Sequence, residues 1–324
     1  GRSLFFLSVI SAAAILAGTV LTGCSRADDL VQEQAEPENY ALTVFTAQER
    51  KEWEPVIKEF EERTGWNVRV ETGSAKEMLS QLEKEEADWD VAFGVSADAL
   101  EEGKEYWQTG KDAWTGYSAV SFVILYNTNV VTYRELPTGW DSLLEPRWKG
   151  RVAVPDPLKS DMAASVLTEA AKNSEKEEFL DLLAENMQYQ MPETFKEVEQ
   201  GISDGRYSIG VTSEEAAKAM LAAGQDVDYI DPEEGECFFE DGTAIRKRTP
   251  NLDASEAFVT YTTCDDTKWL LRTQLLRQPA EDVSAENDRS DEELKQRYSR
   301  QQEILNIWKL IMEEKTGPAH EQEQ

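Results

Sequence analysis

The chain has 324 residues, enough to bury a large core and to form about two domains. Hydrophobic residues make up 40% and there are nine tryptophans, so the chain folds and does not belong to the disordered class. The formal charge is −31, from 33 basic and 64 acidic residues. That excludes a nucleic-acid partner, because a phosphate backbone needs a basic footprint. A surface this acidic favours solubility and is expected of a protein adapted to high salt.

Residues 4–21 carry no charge and are rich in Leu, Ile, Val, Phe and Ala. They lead into Leu21-Thr22-Gly23-Cys24, which resembles a bacterial lipobox. Cleavage before Cys24 and lipidation of its thiol would make residues 1–23 a lipoprotein signal peptide and tether the remainder outside the cytoplasmic membrane. The alternative is a single spanning helix, for which 18 apolar residues just suffice. Only Arg2 is basic ahead of this segment and the chain opens at Gly1 without Met, so a truncated start is expected. Without residues 1–23 the charge is −32. Residues 24–39 are polar, contain Pro37, and read as a flexible tether. The remaining cysteines, Cys237 and Cys264, are either a disulfide, which an oxidising compartment permits, or two free thiols. Neither sits in a Cys-x-x-Cys pair, which argues against metal binding.

From residue 42 the chain alternates strand and helix. Residues 42–46 and 67–71 are short β-branched and aromatic runs that suit strands. Trp53, Val56, Ile57 and Phe60 then form one helical stripe, and Met78, Leu79 and Leu82 a shorter one. The intervening turns, Thr46-Ala47-Gln48 and Thr72-Gly73-Ser74, present hydroxyls and free backbone N–H groups at helix starts, where anions are favoured. Thr46 and Ser74 are equally readable as ordinary N-caps. Residues 89–93 predict a third strand, followed by a third such turn with Ser96.

Residues 119–126 are the most continuous apolar strand and, broken by Asn127, suit a connection between domains. Strands are predicted at 151–154, 207–211 and 227–230. Helices are predicted from Ser160, over 179–187 and 195–202, and from Thr212-Ser213-Glu214 into 216–223. After a turn at 231–235 and the segment Asp241-Gly242-Thr243, Ala244 and Ile245 are strand-like. Helices follow at 253–262, 268–276 and 292–313, with 278–291 expected as a polar surface loop. The stripe of Ile304, Leu305, Ile307, Trp308, Ile311 and Met312 fits core packing.

The segment WDSLLEPRWKGRVAVPDPLKS, from Trp140 to Ser160, is similar to the W-x-D-L-L-D-P-x-W-K-G-K-I-x-x-x-D-P-x-x-S segment of the extracellular solute-binding proteins of ABC importers. Leu42-Thr43-Val44-Phe45-Thr46-Ala47, Thr72-Gly73-Ser74, Trp89-Asp90-Val91-Ala92-Phe93-Gly94, Ile124-Leu125-Tyr126-Asn127 and Ile209-Gly210-Val211-Thr212-Ser213-Glu214 are similar as well. The chain thus resembles the type II periplasmic binding proteins, in the branch that takes ferric iron, phosphonates and sugar phosphates. That resemblance implies an α/β fold of two lobes joined by a hinge, closing on a ligand in the cleft between them. Lobe one would be residues 40–126 plus 235–324, and lobe two residues 127–234. It implies an extracytoplasmic, lipid-anchored monomer that serves a membrane permease, with no catalysis and no cofactor.

Ferric-binding relatives commonly use adjacent tyrosines, often with a histidine. This chain has no Tyr-Tyr pair, and its one histidine, His320, lies in the polar tail. Tyr126 and Tyr207 are left as single candidates, each equally a core or wall residue. The hydroxyls and helix starts at Thr46, Ala47, Gly73, Ser74, Ser96, Ser160, Thr212 and Ser213 suit a small anion such as a phosphonate or phosphorylated compound, held without lysine. Glu214 or Glu215 would then receive an ammonium or sugar hydroxyls at the other end. A serine hydrolase would need a placed histidine. Paired carboxylates arise by chance among 64 acids, so a glycosidase has no specific support.

Overall fold

The structure is a computed structural model that describes residues 39–110, 112–284 and 290–317. The expected signal segment, the lipidation site expected at Cys24, most of the expected tether and His320 lie outside the described residues. No described helix is long and apolar enough to cross a membrane.

The first elements are β1 (Leu42–Thr46), α1 (Arg50–Thr64), β2 (Val68–Thr72), α2 (Ala75–Glu83), β3 (Val91–Ser96) and α3 (Ala97–Glu102). β1 pairs in parallel with β2 and β3, as strand-helix-strand connections require. α1 starts with a capping box of Glu49 and Glu52 and stops at Gly65, whose φ of 72° supplies the left-handed C-cap. Its stripe of Val56, Ile57 and Phe60 is buried and packs with Leu42, Val44, Phe93 and Phe258.

β4 (Thr115–Asn127) is 13 residues long. Then come β5 (Val152–Ala153), α4 (Asp161–Asn173), α5 (Phe179–Asn186), α6 (Phe195–Ser203), β6 (Ile209–Ser213), α7 (Glu214–Ala222) and β7 (Val227–Ile230). The chain returns through β8 (Cys237–Ile245) to α8 (Leu252–Thr262), α9 (Asp265–Leu270), β9 (Gln278–Pro279), α10 (Ala280–Ser284) and α11 (Asp291–Thr316).

The sheet order β2-β1-β3-β8-β4-β6-β5 shows how two α/β halves are joined. β8 pairs with β3 through Asp241–Ile245 and with β4 over Thr115–Phe122. β4 then continues from Phe122 to pair with β6 and, further on, with β7. Two long strands therefore cross between the halves, each half with its own apolar cluster. α11 lies along both: Tyr298 packs near α3, while Trp308 and Ile311 enter the cluster of the second half.

Three stretches depart from the sequence-based expectation. The strand read at Ala244 and Ile245 starts earlier, at Cys237, and takes in Asp241-Gly242-Thr243. Asp241 is drawn in by bonds from the backbone N–H and hydroxyl of Ser118 (2.9 and 2.7 Å). Gly242 is needed for closeness, since a Cβ there would sit 2.7 Å from the Thr115 carbonyl. The loop expected over 278–291 contains β9, bonded to β4, and the short α10. The helix expected over 268–276 starts earlier, at Asp265, and loosens into a π-turn over Leu271–Leu275.

Candidate functional site

A cavity of about 410 Å³ lies between the two halves, in the range of small-molecule sites. Its floor is Val120 of β4 and Phe239 of β8, the two crossing strands. Four helix starts form the walls. From the first half come Ala47, Gln48 and Glu49 at the start of α1. From the second come Ser160 and Asp161 of α4, Phe195 and Lys196 of α6, and Thr212 and Ser213 ahead of α7. Each helix has at least nine residues, so each points unpaired N–H groups and the positive end of its dipole towards this region.

Cations reinforce that polarity. Lys51, Lys159, Lys196 and Arg277 all line the cavity. Lys51 pairs with Glu49 at 3.2 Å and Lys159 pairs with Glu193. Arg277 is buried against Asp241 and Glu52, 2.7 Å from each. Among the described residues no carboxylate pairs with Lys196 within 4.0 Å, leaving its ammonium available to a solute.

Two carboxylates of the second half face the cavity. Asp161 Oδ2 accepts from the Ala75 N–H at 2.9 Å, a bond that crosses from α4 to the start of α2. Burial pushes its pKa up. Glu199 Oε1 accepts from the Thr212 hydroxyl at 2.9 Å. Burial raises its pKa too, against the pull of Thr212, Lys196 and Lys51.

Of the residues singled out from the sequence, Ala47, Ser160, Thr212 and Ser213 are brought together on the cavity wall. The Ser160 and Ser213 hydroxyls also cap α4 and α7, each accepting at 3.2 Å. Thr46 is fully buried, its hydroxyl oxygen accepting from the Gln48 N–H. Gly73 and Ser74 stand at the start of α2 and do not line the cavity. The Ser74 hydroxyl caps Glu77, and Glu77 reaches back to the Ser74 N–H. Asp161 takes the next N–H of that helix. Ser96 is buried as the cap of α3. Tyr126 lies in the apolar cluster under β4, and Tyr207 packs beside Val198 and Ile202. Glu214 accepts from Ser121 and pairs with Lys218. Glu215 takes Gln278 and the same lysine. Cys237 and Cys264 are free thiols. Cys237 is buried in the second half, and Cys264 stands 3.4 Å from the Thr267 hydroxyl.

Sequence reasoning named Gln48 only as part of a turn, and missed Lys51, Glu52, Lys159, Lys196, Glu199 and Arg277. Lys51, Glu52, Lys159 and Lys196 share one signal: all flank or occupy the first turn of a helix that follows a strand or an extended connection, whereas Glu199 lies a turn further along α6. Arg277 has no local signal at all. Among the described residues no group of three or more His, Cys, Asp or Glu could hold a metal ion, and no tyrosine lines the cavity.

A family model described as "Bacterial extracellular solute-binding protein" matches residues 93–302. The chain belongs to this family. It is a substrate-binding protein of an ABC importer, working outside the cytoplasm and delivering a small solute to a permease. A curated relative, Iron uptake protein A1 of Synechocystis sp., is 22% identical over 290 residues, 79% of this chain and 80% of its own length. Among solved structures, the ferric binding protein from Campylobacter jejuni is similar with a TM-score of 0.67 at 17% identity, over 83% of this chain and 99% of that one. The periplasmic binding protein AfuA from Actinobacillus pleuropneumoniae, solved with fructose-6-phosphate, is similar with a TM-score of 0.69 at 14% identity, over 84% and 98%.

Proposed function

We propose that the cavity captures a small organic anion of the phosphonate or phosphate-ester class. The observation that carries this is the convergence of four helix starts with Lys51, Lys159 and Lys196 on one cavity. Residues 40–126 with 235–324 act as one lobe and residues 127–234 as the other, closing over the solute about β4 and β8. Cys24 carries the lipid that holds this monomer at the membrane. The net charge of −31 repels an anion at long range. Within the cleft, helix dipoles and lysines dominate, because the far field is screened over about 8 Å at physiological salt.

A second reading is favoured by the name of the curated relative and of the Campylobacter structure: ferric iron. With no tyrosine on the cavity wall, this cleft would take iron as an anionic chelate, held through the chelator by the same lysines and N–H groups.

A thermal-shift panel of the full chain separates the two. Phosphate esters, aminophosphonates and thiamine phosphates form one arm, ferric chloride and ferric citrate the other. A ligand at 100 times its Kd should stabilise by about 2.7 kcal/mol. Lys196→Ala should weaken the binding of an anionic hit by about 1.5 kcal/mol, the low end for a charge-assisted bond because this lysine is solvent-exposed. Stabilisation by ferric citrate alone would replace the phosphoryl reading by the iron one.

A further inference from the structure

The helix starts and lysines account for an oxyanion, but the cavity wall also carries acceptors, Gln48 and Glu199 among them. Gln48 is 8% exposed, and its amide nitrogen donates to Asp241 Oδ2 at 3.1 Å. Asp241 is itself held by Arg277, so it requires a donor there and fixes the orientation of the Gln48 amide. The other atom, Gln48 Oε1, is buried with no hydrogen-bond partner. Glycine at position 94, with φ of +63°, leaves room for this amide, and a Cβ there would run into it. Buried acceptors are normally paired, and an orphaned one on a cavity wall is a candidate for a solute's donor.

Glu199 faces the same cavity from the second half. Its Oε1 is taken by Thr212, and among the described residues no hydrogen bond involves Oε2. A carboxylate repels an oxyanion, so the oxyanion does not sit against Glu199. A different part of the solute then meets Glu199. The acceptors expected from the sequence, Glu214 and Glu215, are already held by Lys218, Ser121 and Gln278. The cavity of about 410 Å³ also has the capacity of an organic molecule, beyond that of a bare inorganic anion.

We infer that the cleft selects an anion that also carries hydrogen-bond donors, hydroxyl or ammonium, and that Gln48 and Glu199 read those donors. This rests on the anionic reading above and deepens it.

The test is calorimetric titration of the full chain at pH 8 with three probes. Glycerol 3-phosphate offers hydroxyls, 2-aminoethylphosphonate an ammonium, and methyl phosphate neither, because a phosphate monoester with its second pKa near 6 is fully ionised at that pH. The wild type should bind at least one donor-bearing probe about tenfold or more tightly than methyl phosphate, the worth of one hydrogen bond to a charged group. Glu199→Ala should erase most of that preference, weakening the donor-bearing probes more than methyl phosphate. Glu199→Gln keeps a carbonyl acceptor and the Thr212 bond. It should retain a hydroxyl preference and lose an ammonium preference, which distinguishes the two donor types. Equal wild-type affinity for all three probes, or an equal loss for all three in Glu199→Ala, overturns the inference and leaves the anion reading standing. Failure of every phosphoryl probe to bind the wild type overturns the anion reading, and this inference with it.

Discussion

Arg277 shows how much one side chain can organise. Its guanidinium reaches Asp241 on β8, Ser118 on β4, Glu52 on α1 and the sulfur of Met162 on α4. Arg297 of α11 plays a similar part elsewhere, meeting Glu169 at 3.2 Å, Asp98 at 3.6 Å and the Ser165 hydroxyl at 3.1 Å. Burial outweighs the attraction of Arg297 and pushes the Asp98 pKa up from 3.8 to about 6. Between those values the folded chain holds a proton that the unfolded chain has released. Stability from this group is therefore fully present at low pH and is lost as pH rises through 6, with a slope approaching about 1.4 kcal/mol per pH unit. Asp98→Asn should flatten that part of the profile when urea midpoints are measured at pH 4, 5, 6 and 7. A slope unchanged by the substitution would assign it to other acids. Ser74 makes a simpler case. Its hydroxyl caps α2, so Ser74→Ala should cost about 1 kcal/mol of unfolding free energy, read from denaturant melts.

At the scale of elements, the start of α2 is the informative one. Its N–H groups form the kind of site that a solute oxyanion seeks, yet they are satisfied from within the protein by Glu77 and by Asp161 of α4. The Asp161 bond joins a helix of the second half to a helix of the first, beside the cavity. Asp161→Ala should loosen the solute-free protein across the cleft, raising its radius of gyration in X-ray scattering. The same scattering curve from mutant and wild type would show that this bond does not hold the halves together. The crossing strands set the direction of any such movement. β4 and β8 are hydrogen-bonded to each other over Thr115–Phe122, so a rotation of the halves bends this ribbon and leaves its pairing intact.

The whole molecule carries −31 charges, and many of its ion pairs are exposed and weak. Mutual repulsion of surface acids is then the larger electrostatic term, and salt relieves it. The melting temperature should rise as sodium chloride goes from about 0.1 to 1 M, over which the screening length shortens from about 10 to 3 Å. A fall over that range would reject adaptation to high salt.

The strand-helix alternation, the buried stripe of α1 and the long apolar run of β4 were written locally, because period and turn chemistry act over a few residues. So were the family-like segment from Trp140 to Ser160 and the helix starts at Ala47, Ser160, Thr212 and Ser213. What a local pattern cannot hold is which helix starts meet. Ser74 and Ser96 look as good as Ser160 in the chain, yet they cap their helices without lining the cavity. Asp241-Gly242 has the composition of a turn and becomes the middle of a strand, because Ser118, Arg277 and the backbone of Thr115 converge on it from distant positions. Partners brought from distant parts of the chain help decide which polar groups are spent on the fold and which are left to face a solute, and only tertiary packing assigns them.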